Sequence, residues 1–292
     1  MPLLEIDHDL LQAADSKDLA NGYQLVKQGQ LGNLEIFNND RFKREFGETV
    51  LVQAHSANLY VRVSEEIASR TDFETAVTRS NEKIDRLLLA LNVNEKLWNF
   101  SRDIRFSWLQ DESRGQITIR HDPPRSTVED NPEFENFSEA AELTVTIDAV
   151  YSGEPESRYA PVRTAFDALR LGLYAFNVSM RFLQEAIALE ALCSASDTEV
   201  THRVAMTCAI LIGTEPEQRK MLYKEAKRLY GIRSRIIHGS GKRATIQDLK
   251  DIEQFTRQIL RRILANDILP NYETTLKQRE FLLRLSLEKD TT

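Results

Sequence analysis

The 292-residue chain has the composition of a folded globular protein, because 41% of its residues are hydrophobic and 28% are charged. This balance excludes an intrinsically disordered chain, and a length above about 100 to 200 residues favours two domains over one. The net charge of −7 is unevenly distributed. Residues 1–150 carry 16 Lys and Arg against 27 Asp and Glu, whereas residues 151–292 carry 22 against 18, so the two halves differ in sign, at −11 and +4.

The amino terminus has neither a basic leader nor an apolar run of signal-peptide length, and nowhere do about 18 apolar residues follow one another. These patterns predict a cytoplasmic protein with no membrane partner. The two cysteines, Cys193 and Cys208, lie in apolar helical segments without a Cys or His at zinc-ligand spacing. We therefore expect core thiols, no metal site and no cofactor.

Strand patterns in the first half accompany one long helical pattern. Apolar residues at every second position predict strands within residues 49–63, at 98–108, at 117–119 and at 143–147. Residues 65–91 repeat apolar positions at helical spacing, and Asn92 marks the expected end of that helix. Residues 121–137 contain prolines and many acids, which predicts a loop. The first half is therefore expected to be an α+β domain.

A break that contains Gly and Pro at residues 152–157 is the predicted domain boundary. It gives an α+β domain at residues 1–157 and a second domain at residues 158–292. Beyond the break, strand patterns nearly vanish, and helical periodicity runs through residues 162–192, 199–212, 215–238, 245–266 and 272–287. The second domain is thus predicted to be an all-α helical bundle.

The segment 215–241 is the most informative part of the chain. At about 100° per residue, Arg233 falls in the middle of one apolar stripe, whose other members are Leu222, Ala226, Leu229 and Ile236. Burial of an unpaired guanidinium is strongly unfavourable, so Arg233 must meet a carboxylate, an exposed cleft, a partner subunit or a phosphate. Glu190, an acid between apolar neighbours, is the expected structural partner of a buried cation such as Arg233.

The opposite face of this segment is strongly basic. Between Arg219 and Arg243 there are nine Lys and Arg against one acid, Glu225. Such a field suits a polyanion such as RNA. The predicted RNA-binding residues are Lys220, Lys224, Lys227, Arg228, Arg235, Lys242 and Arg243. The alternative is a solvated helix face, with Arg233 as a structural ion-pair partner.

Residues 230–239 read Tyr-Gly-Ile-Arg-Ser-Arg-Ile-Ile-His-Gly. An arginine followed by a histidine after about four to six residues, at the end of a helix, resembles the signature of the HEPN superfamily of ribonucleases. Together with Ala-Leu-Glu-Ala-Leu at residues 188–192, this stretch is most similar to the ApeA-like branch of that superfamily. The resemblance covers about residues 160–270 and leaves the first half unassigned.

The resemblance implies metal-independent endoribonuclease chemistry, in which a ribose 2′-hydroxyl attacks the adjacent phosphodiester and leaves a 2′,3′-cyclic phosphate. His238 would move protons, since imidazole titrates near neutral pH. Arg233 would hold the phosphate and stabilise the charge that builds on its oxygens. Ser234 stands where the family commonly has another polar residue, often Asn or Asp, and would assist by hydrogen bonding.

The spacing of Arg233 and His238 adds a geometric constraint. On a regular helix the two residues lie about 140° apart, so one undistorted helix cannot direct both side chains at one phosphate. Either the helix unwinds before His238, as Gly239 and Gly241 permit, or two subunits build composite sites across a two-fold axis. The family resemblance favours the homodimer.

Three functions are compatible with these features. The first is an RNA-cleaving effector of a bacterial defence or toxin system, with a first domain that senses or regulates and with an antitoxin or regulatory partner. The second is a non-catalytic HEPN module for RNA binding or dimerisation. The third is a helical scaffold whose basic face docks an acidic protein.

Overall fold

A computed structural model describes residues 4–7, 16–18, 20–27, 59–63, 72–94, 105–111, 116–122, 134–152, 157–173, 175, 177–195, 198–239, 241, 243–264 and 268–288. The chain divides into two compact units. The first unit comprises residues 1–91 and 96–145, and the second comprises residues 92–95 and 146–292. The predicted domain boundary, after residue 157, lies further along the chain than residue 145, where the first unit ends.

Short strands of the first unit pair in two antiparallel sheets of three strands. The strands are β1 (Leu4–Asp7), β2 (Ser16–Asp18), β3 (Tyr23–Lys27), β4 (Leu59–Val63), β5 (Arg105–Asp111) and β6 (Gln116–Asp122). One sheet has the order β1-β6-β5 and the other β2-β3-β4. In the pair of β5 and β6, Trp108 lies opposite Ile119. Residues 98–104 of one predicted strand lie outside the described residues, and the α+β class of the first half stays a prediction.

Two long helices, α1 (Phe73–Val93) and α2 (Phe134–Ser152), follow in this half of the chain. Helix α1 carries the residues that were expected to be helical, apart from 65–71, which are outside the described part of the chain. Asn92 does not end the helix as expected, because it lies within α1 as a buried side chain. In the first unit, the Tyr23 hydroxyl donates to the Lys83 carbonyl at 2.7 Å.

The strand predicted at residues 143–147 is wrong, because this stretch lies inside helix α2. Its apolar residues do alternate, but Val145 is 54% exposed. The buried positions are instead spaced by three and four residues, as on one helix face: Ala140, Ala141, Thr144, Ile147 and Val150. The buried alanines at 140 and 141 belong to this helix face, but the alternation of the larger residues Leu143, Val145 and Ile147 hides it in the sequence. The loop predicted at 121–137 is likewise helical from Phe134, while residues 123–133 fall outside the description.

The second unit is helical, as predicted: its described residues contain helices and no strand. The helices are α3 (Ala160–Leu173), α4 (Val178–Cys193), α5 (Val200–Ile212), α6 (Pro216–Ile237), α7 (Ile246–Leu264) and α8 (Thr275–Glu288). Helix α4 packs against α3 and α7, and α5 packs against α6. The core between them includes the fully buried side chains of Phe166, Phe182, Leu192, Ile252 and Ile259. Burial of these side chains supplies the main driving force for the bundle.

The single helix expected over residues 162–192 is in fact two helices. Asn177 has extended backbone angles, φ −149° and ψ 160°, and its side chain accepts a hydrogen bond from the Met180 N–H at 2.9 Å. An Asn in this position satisfies an N–H that a new helix leaves unpaired. The apolar pattern continues across the break because both helices contribute to the same core, and this hides the boundary in the sequence.

Residues after α7 donate hydrogen bonds to the last carbonyls of α4. Tyr272 is buried, and its hydroxyl donates to the Leu192 carbonyl at 3.1 Å. The Gln278 side chain, also buried, donates to the carbonyls of Ala191 and Leu192 at 2.7 and 3.0 Å. Carbonyls in the last turn of a helix lack partners within the helix, so these side chains satisfy them from outside.

Cys193 and Cys208 are buried free thiols, as predicted. Their sulfur atoms lie 4.0 Å apart, at the end of α4 and within α5. This contact, and then burial, hold the pKa of Cys193 well above its usual range. In the described part of the chain, no helix is both long and apolar enough to cross a membrane.

Candidate functional site

A close approach at Gly213 joins α5 to α6 and fixes the position of α6. A Cβ atom at Gly213 would lie 2.7 Å from the Ala209 carbonyl oxygen and 2.6 Å from Cγ of Arg219, so a larger residue would push these groups away. Arg219 donates from Nε to the Gly213 carbonyl at 3.0 Å and from Nη2 to the Thr214 carbonyl at 3.1 Å. Its charge therefore stabilises the negative end of α5.

The packed face of α6 has Arg233 near its centre, as predicted. The buried residues of this face are Ala226, Leu229, Tyr230 and Ile232. Leu222 and Ile236, which the sequence placed on the same stripe, are half-buried. The Arg233 side chain is 27% exposed, so the packed face covers most of it and solvent still reaches part of it.

A carboxylate and a phenol hold Arg233 in place. Nη2 of Arg233 lies 3.1 Å from Oε2 of Glu190, which α4 supplies. The Tyr230 hydroxyl donates a short hydrogen bond to the same oxygen. The guanidinium also lies over the Tyr230 ring, 5.4 Å from its centroid. The pairing of Arg233 with Glu190 confirms the expected carboxylate partner. Burial, and then the hydrogen bond to Glu190, raise the pKa of Tyr230, so the phenol stays protonated and acts as a donor.

These contacts limit what Arg233 can do chemically. Its Nε is buried and has no hydrogen-bond partner among the described residues, and a guanidinium offers several donors in one rigid fork. A phosphate would have to bind the Nη donors beside Glu190, because the buried Nε is closed to an approaching ligand. It would also meet the negative charge of that carboxylate, so a bound phosphate has to displace Glu190 or tolerate it.

His238 lies at the exposed carboxyl end of α6. Its backbone N–H donates to the Ser234 carbonyl at 3.0 Å, so the helical hydrogen-bond pattern reaches this residue. Gly239 follows with φ of 68°, in the left-handed region that glycine commonly adopts at a helix end. Its N–H then donates to the Ile236 carbonyl at 3.2 Å. The helix therefore ends at Ile237, with His238 as its C-cap, and does not unwind before that point.

Arg233 and His238 consequently lie on different faces of α6, about 140° apart on a regular helix. Arg233 belongs to the packed face, whereas His238 is exposed. In the part of the chain that the structure describes, no hydrogen bond joins their side chains. Ser234, the third predicted catalytic residue, is half-buried between them. One copy of the helix does not assemble the predicted pair, and a composite site from two copies stays a prediction.

The exposed face of α6 is basic, as the sequence indicates. Its exposed cations are Lys220, Lys224, Lys227, Arg228 and Arg235, and Arg243 is exposed beyond the helix. Lys242 lies outside the described residues. Lys220 pairs with Glu217 at 2.6 Å, and both side chains are largely in solvent. The role of this face in RNA binding stays a prediction.

Arg228 differs from the other basic residues because carboxylates surround it. Its guanidinium lies 2.6 Å from Glu225, 2.6 Å from Asp248 and 2.8 Å from Asp251. The hydrogen bond to Glu225 and the bond to Asp248 raise the pKa of Arg228. Since Asp248 and Asp251 belong to α7, Arg228 links α6 to α7. Its compensated charge makes it a weaker candidate for RNA contact than the neighbouring lysines.

Two aromatic rings adjoin the basic face. Nδ1 of His202, on α5, lies 3.0 Å from the Tyr223 hydroxyl, on α6. The rings meet edge to face, with centroids 5.8 Å apart. Lys227 places Nζ 6.0 Å from the centroid of the Tyr223 ring. His202 is exposed and Tyr223 half-buried, so both rings remain accessible beside the lysines.

A second charged cluster is buried between α4 and α7. Nη2 of Arg181 lies 2.7 Å from Glu253, and Arg257 lies 3.4 Å from the same carboxylate. Arg257 also donates twice to the Asn92 side chain, at 2.8 and 3.1 Å. Glu185 lies in the same cluster, where burial and the nearby Glu253 raise its pKa from 4.5 to about 7. The charges in this cluster offset one another, and only the Arg181 side chain, at 24% exposure, reaches partly to the surface.

Sequence reasoning found Arg233, His238 and Glu190 but missed Tyr230, Tyr223 and His202. Tyr230 precedes Arg233 by one helical turn, and this spacing is a signal that could have been used. The contact of His202 with Tyr223 joins two helices, and nothing in either helix alone predicts it. Among the described residues, no group of three or more His, Cys, Asp or Glu is placed to hold a metal ion.

Comparisons of the chain with protein-family models, with curated proteins and with solved structures find no match. The functional proposal therefore rests on the residue pattern of α6 and on the geometry around it.

Proposed function

We propose that the helical unit is a metal-independent endoribonuclease of the HEPN type. The observation that carries this proposal is the position of His238, exposed at the glycine-ended terminus of α6 and on the helix whose accessible face bears the lysines. An accessible imidazole beside a cationic surface suits proton transfer on a bound polyanion. The Arg-to-His spacing and the flanking Ser234 and Gly239 support the family assignment.

The reaction needs two proton transfers and no metal. The ribose 2′-oxygen forms a bond to phosphorus while the bond from phosphorus to the 5′-oxygen breaks. One proton leaves the 2′-hydroxyl, and another reaches the departing 5′-oxygen. His238 accepts the first proton or delivers the second, and Arg233 stabilises the charge on the non-bridging oxygens. Ser234 assists by a hydrogen bond to the phosphate.

A homodimer solves the geometric problem posed by α6. Because α6 remains regular as far as His238, the histidine of one copy has to act with the arginine of another. The pair of Glu190 and Tyr230 then holds Arg233 in a defined position until RNA binds. Displacement of Glu190 by a phosphate gives the guanidinium a new bidentate partner without any change in the helix.

The wider setting is also part of the proposal. The first unit is proposed to be an α+β domain that senses a signal or regulates the nuclease, and the charge of −11 over residues 1–150, most of which belong to this unit, is compatible with restraint of a basic partner. The chain would act in the cytoplasm as an effector of a bacterial defence or toxin system, held in check by an antitoxin or regulatory partner.

A second candidate function has one observation in its favour. Glu190 and Tyr230 already satisfy much of Arg233, as a structural ion pair would. This supports a non-catalytic HEPN module that binds RNA through the lysines or dimerises, with Arg233 serving the fold alone. The two candidates differ in whether phosphodiester bonds are broken.

Cleavage of RNA in EDTA separates the candidates. We expect the purified full chain to cut single-stranded RNA and to leave 2′,3′-cyclic phosphate ends. Arg233→Ala and His238→Ala should each reduce the rate by at least about a hundredfold, because charge stabilisation and proton transfer act on one transition state. Arg279→Ala, an exposed arginine on α8, is the matched control and should leave the rate unchanged. Cleavage that survives both active-site substitutions would refute the assignment.

A further inference from the structure

The contact of His202 with Tyr223 lies on the exposed side of the α5–α6 pair and has no role in the packed core. Tyr223 is half-buried, and His202 is exposed. The hydrogen bond of 3.0 Å from ring to hydroxyl fixes the two rings relative to one another. Nζ of Lys227 lies over one face of the Tyr223 ring, 6.0 Å from its centroid, so a stacked base would use the opposite face. A pair of oriented, accessible rings beside lysines has the chemistry of a base-stacking site.

The position of Tyr223 along α6 connects this pair to His238. At about 100° per residue, Tyr223, Lys227, Ser234 and His238 fall within about 60° of one another around the helix. The rise of about 1.5 Å per residue places Tyr223 about 22 Å from His238 along the axis. A nucleic-acid strand running along α6 would therefore pass both sites.

Gly231 lies between these two sites on the accessible side of α6. A Cβ atom added there would meet no atom within 4 Å, so packing gives no reason for a glycine at this position. A glycine inside a helix is destabilising relative to alanine. A position without a side chain permits the close approach of a sugar-phosphate backbone to the helix.

We propose that the His202–Tyr223 pair is a base-stacking subsite for single-stranded RNA that crosses Gly231 to reach His238. An unpaired base stacks on the accessible ring, while Lys224 and Lys227 contact the adjoining phosphates. This subsite deepens the proposed ribonuclease function and rests on it for the identity of the strand. A base in a duplex is already stacked and paired, so double-stranded RNA does not use the subsite.

Binding to the full chain tests the subsite without relying on cleavage. The probe is a fluorescein-labelled single-stranded RNA of about twelve nucleotides, and its binding is measured by fluorescence anisotropy in EDTA. The parent chain and all variants carry His238→Ala, so that the RNA is not cleaved. Tyr223→Leu should weaken binding by about tenfold, the usual scale of one lost base–aromatic stack. Tyr223→Trp should bind within about twofold of the parent chain, because it keeps a stacking surface.

Further variants and probes separate stacking from charge. His202→Ala should weaken binding by a smaller factor, since Tyr223 loses its orienting partner but keeps its ring. Binding to the matched RNA duplex should be the same for the parent chain and Tyr223→Leu. An oligomer with abasic sugars should bind the parent chain as weakly as normal RNA binds Tyr223→Leu. Thermal unfolding of each variant checks that the fold is intact.

The outcomes distinguish this inference from the proposed function. Equal binding of single-stranded RNA by the parent chain and a folded Tyr223→Leu chain would overturn the subsite, and so would an absence of RNA binding by the parent. If a polyglutamate peptide binds as well as RNA and neither is affected by Tyr223→Leu, the face is a docking surface for an acidic protein. If Tyr223→Leu weakens RNA binding but the wild-type chain does not cleave RNA, the stacking subsite is supported and the nuclease function is refuted.

Discussion

Folding raises the pKa of Glu185 into a pH range that unfolding experiments can reach. It lies in the buried cluster with Glu253, Arg181 and Arg257, and its pKa rises from 4.5 to about 7. Between these two values the folded chain keeps a proton that the unfolded chain has lost. The free energy of unfolding must therefore decrease as the pH rises through this window, and Glu185 contributes its full stabilising effect only below about pH 4.5.

The predicted change is measurable by urea unfolding at pH 5 and pH 7.5. Each pH unit within the window is worth at most about 1.4 kcal/mol, so the contribution of Glu185 falls by up to about 3 kcal/mol. Glu185→Gln mimics the protonated form and should flatten this part of the profile. Glu280→Gln, an exposed acid on α8, is the control. An equal pH dependence in the parent and the Glu185→Gln chain would show that Glu185 is not the titrating group.

Single residues were predictable from the sequence where one helix alone imposes the constraint. Arg233 stands out because its neighbours at helical spacing are apolar, and such a cation requires a partner. Glu190 was identified for the converse reason, as an acid within an apolar run. Glu185 lies five residues earlier on α4, yet its raised pKa depends on burial and then on Glu253 from α7. Only the packing of the two helices brings these carboxylates together.

Helix α6 contains two glycines whose replacement by alanine should have opposite effects. At Gly231, alanine has room and a higher helix propensity, so Gly231→Ala should stabilise the helical unit by about 1 kcal/mol. At Gly239, φ is 68°, a conformation that strains any residue with a Cβ, so Gly239→Ala should destabilise it by about 1 kcal/mol.

Thermal unfolding followed by circular dichroism measures both effects. A shift of 1 kcal/mol corresponds to about 2–4 °C for a unit of this size, upward for Gly231→Ala and downward for Gly239→Ala. If the strand path along α6 is right, the more stable Gly231→Ala chain also binds single-stranded RNA less well. Shifts of the same sign for both variants would contradict the assigned end of α6.

Elements were predictable where their apolar period is unambiguous. The long pattern over residues 215–238 matches α6 closely, because a proline, a glycine and a wide apolar stripe all agree. The pattern over 143–147 misled because three large apolar residues alternate by chance while alanines carry the helical face of α2. The break between α3 and α4 was missed because it depends on one Asn cap within a continuous apolar run.

At the scale of the whole molecule, the proposed nuclease predicts that active sites form between two copies of the chain, because α6 is regular up to its end. Light scattering should give twice the 33.5 kDa chain mass. Inactive Arg233→Ala and His238→Ala chains should then complement one another when mixed. Equal amounts give mixed dimers in half of the population, each with one intact site, so about a quarter of the wild-type activity should return.

The control for complementation is a mixture of Arg233→Ala with the double variant Arg233→Ala/His238→Ala, which has no intact arginine and should stay inactive. Each pair is mixed in mild denaturant and diluted, so that subunits exchange. A strictly monomeric chain that cleaves RNA, or a dimeric one in which the two variants never complement, would place the site within one chain. Local unwinding at His238 would then have to occur during the reaction.

The closure of α4 by Tyr272 and Gln278 has a consequence for how the protein is made. The carbonyls at the end of α4 obtain their partners only when residues 272–278, some eighty positions further along, have left the ribosome. Until then the last turn of α4, with Cys193 at its end, lacks these hydrogen-bond donors. Glu190 lies on the same helix, whose last carbonyls are still without these partners. The order of synthesis therefore leaves the end of α4 incomplete until late in translation, so we expect the helical unit to reach its final packing only after residues 272–278 have emerged.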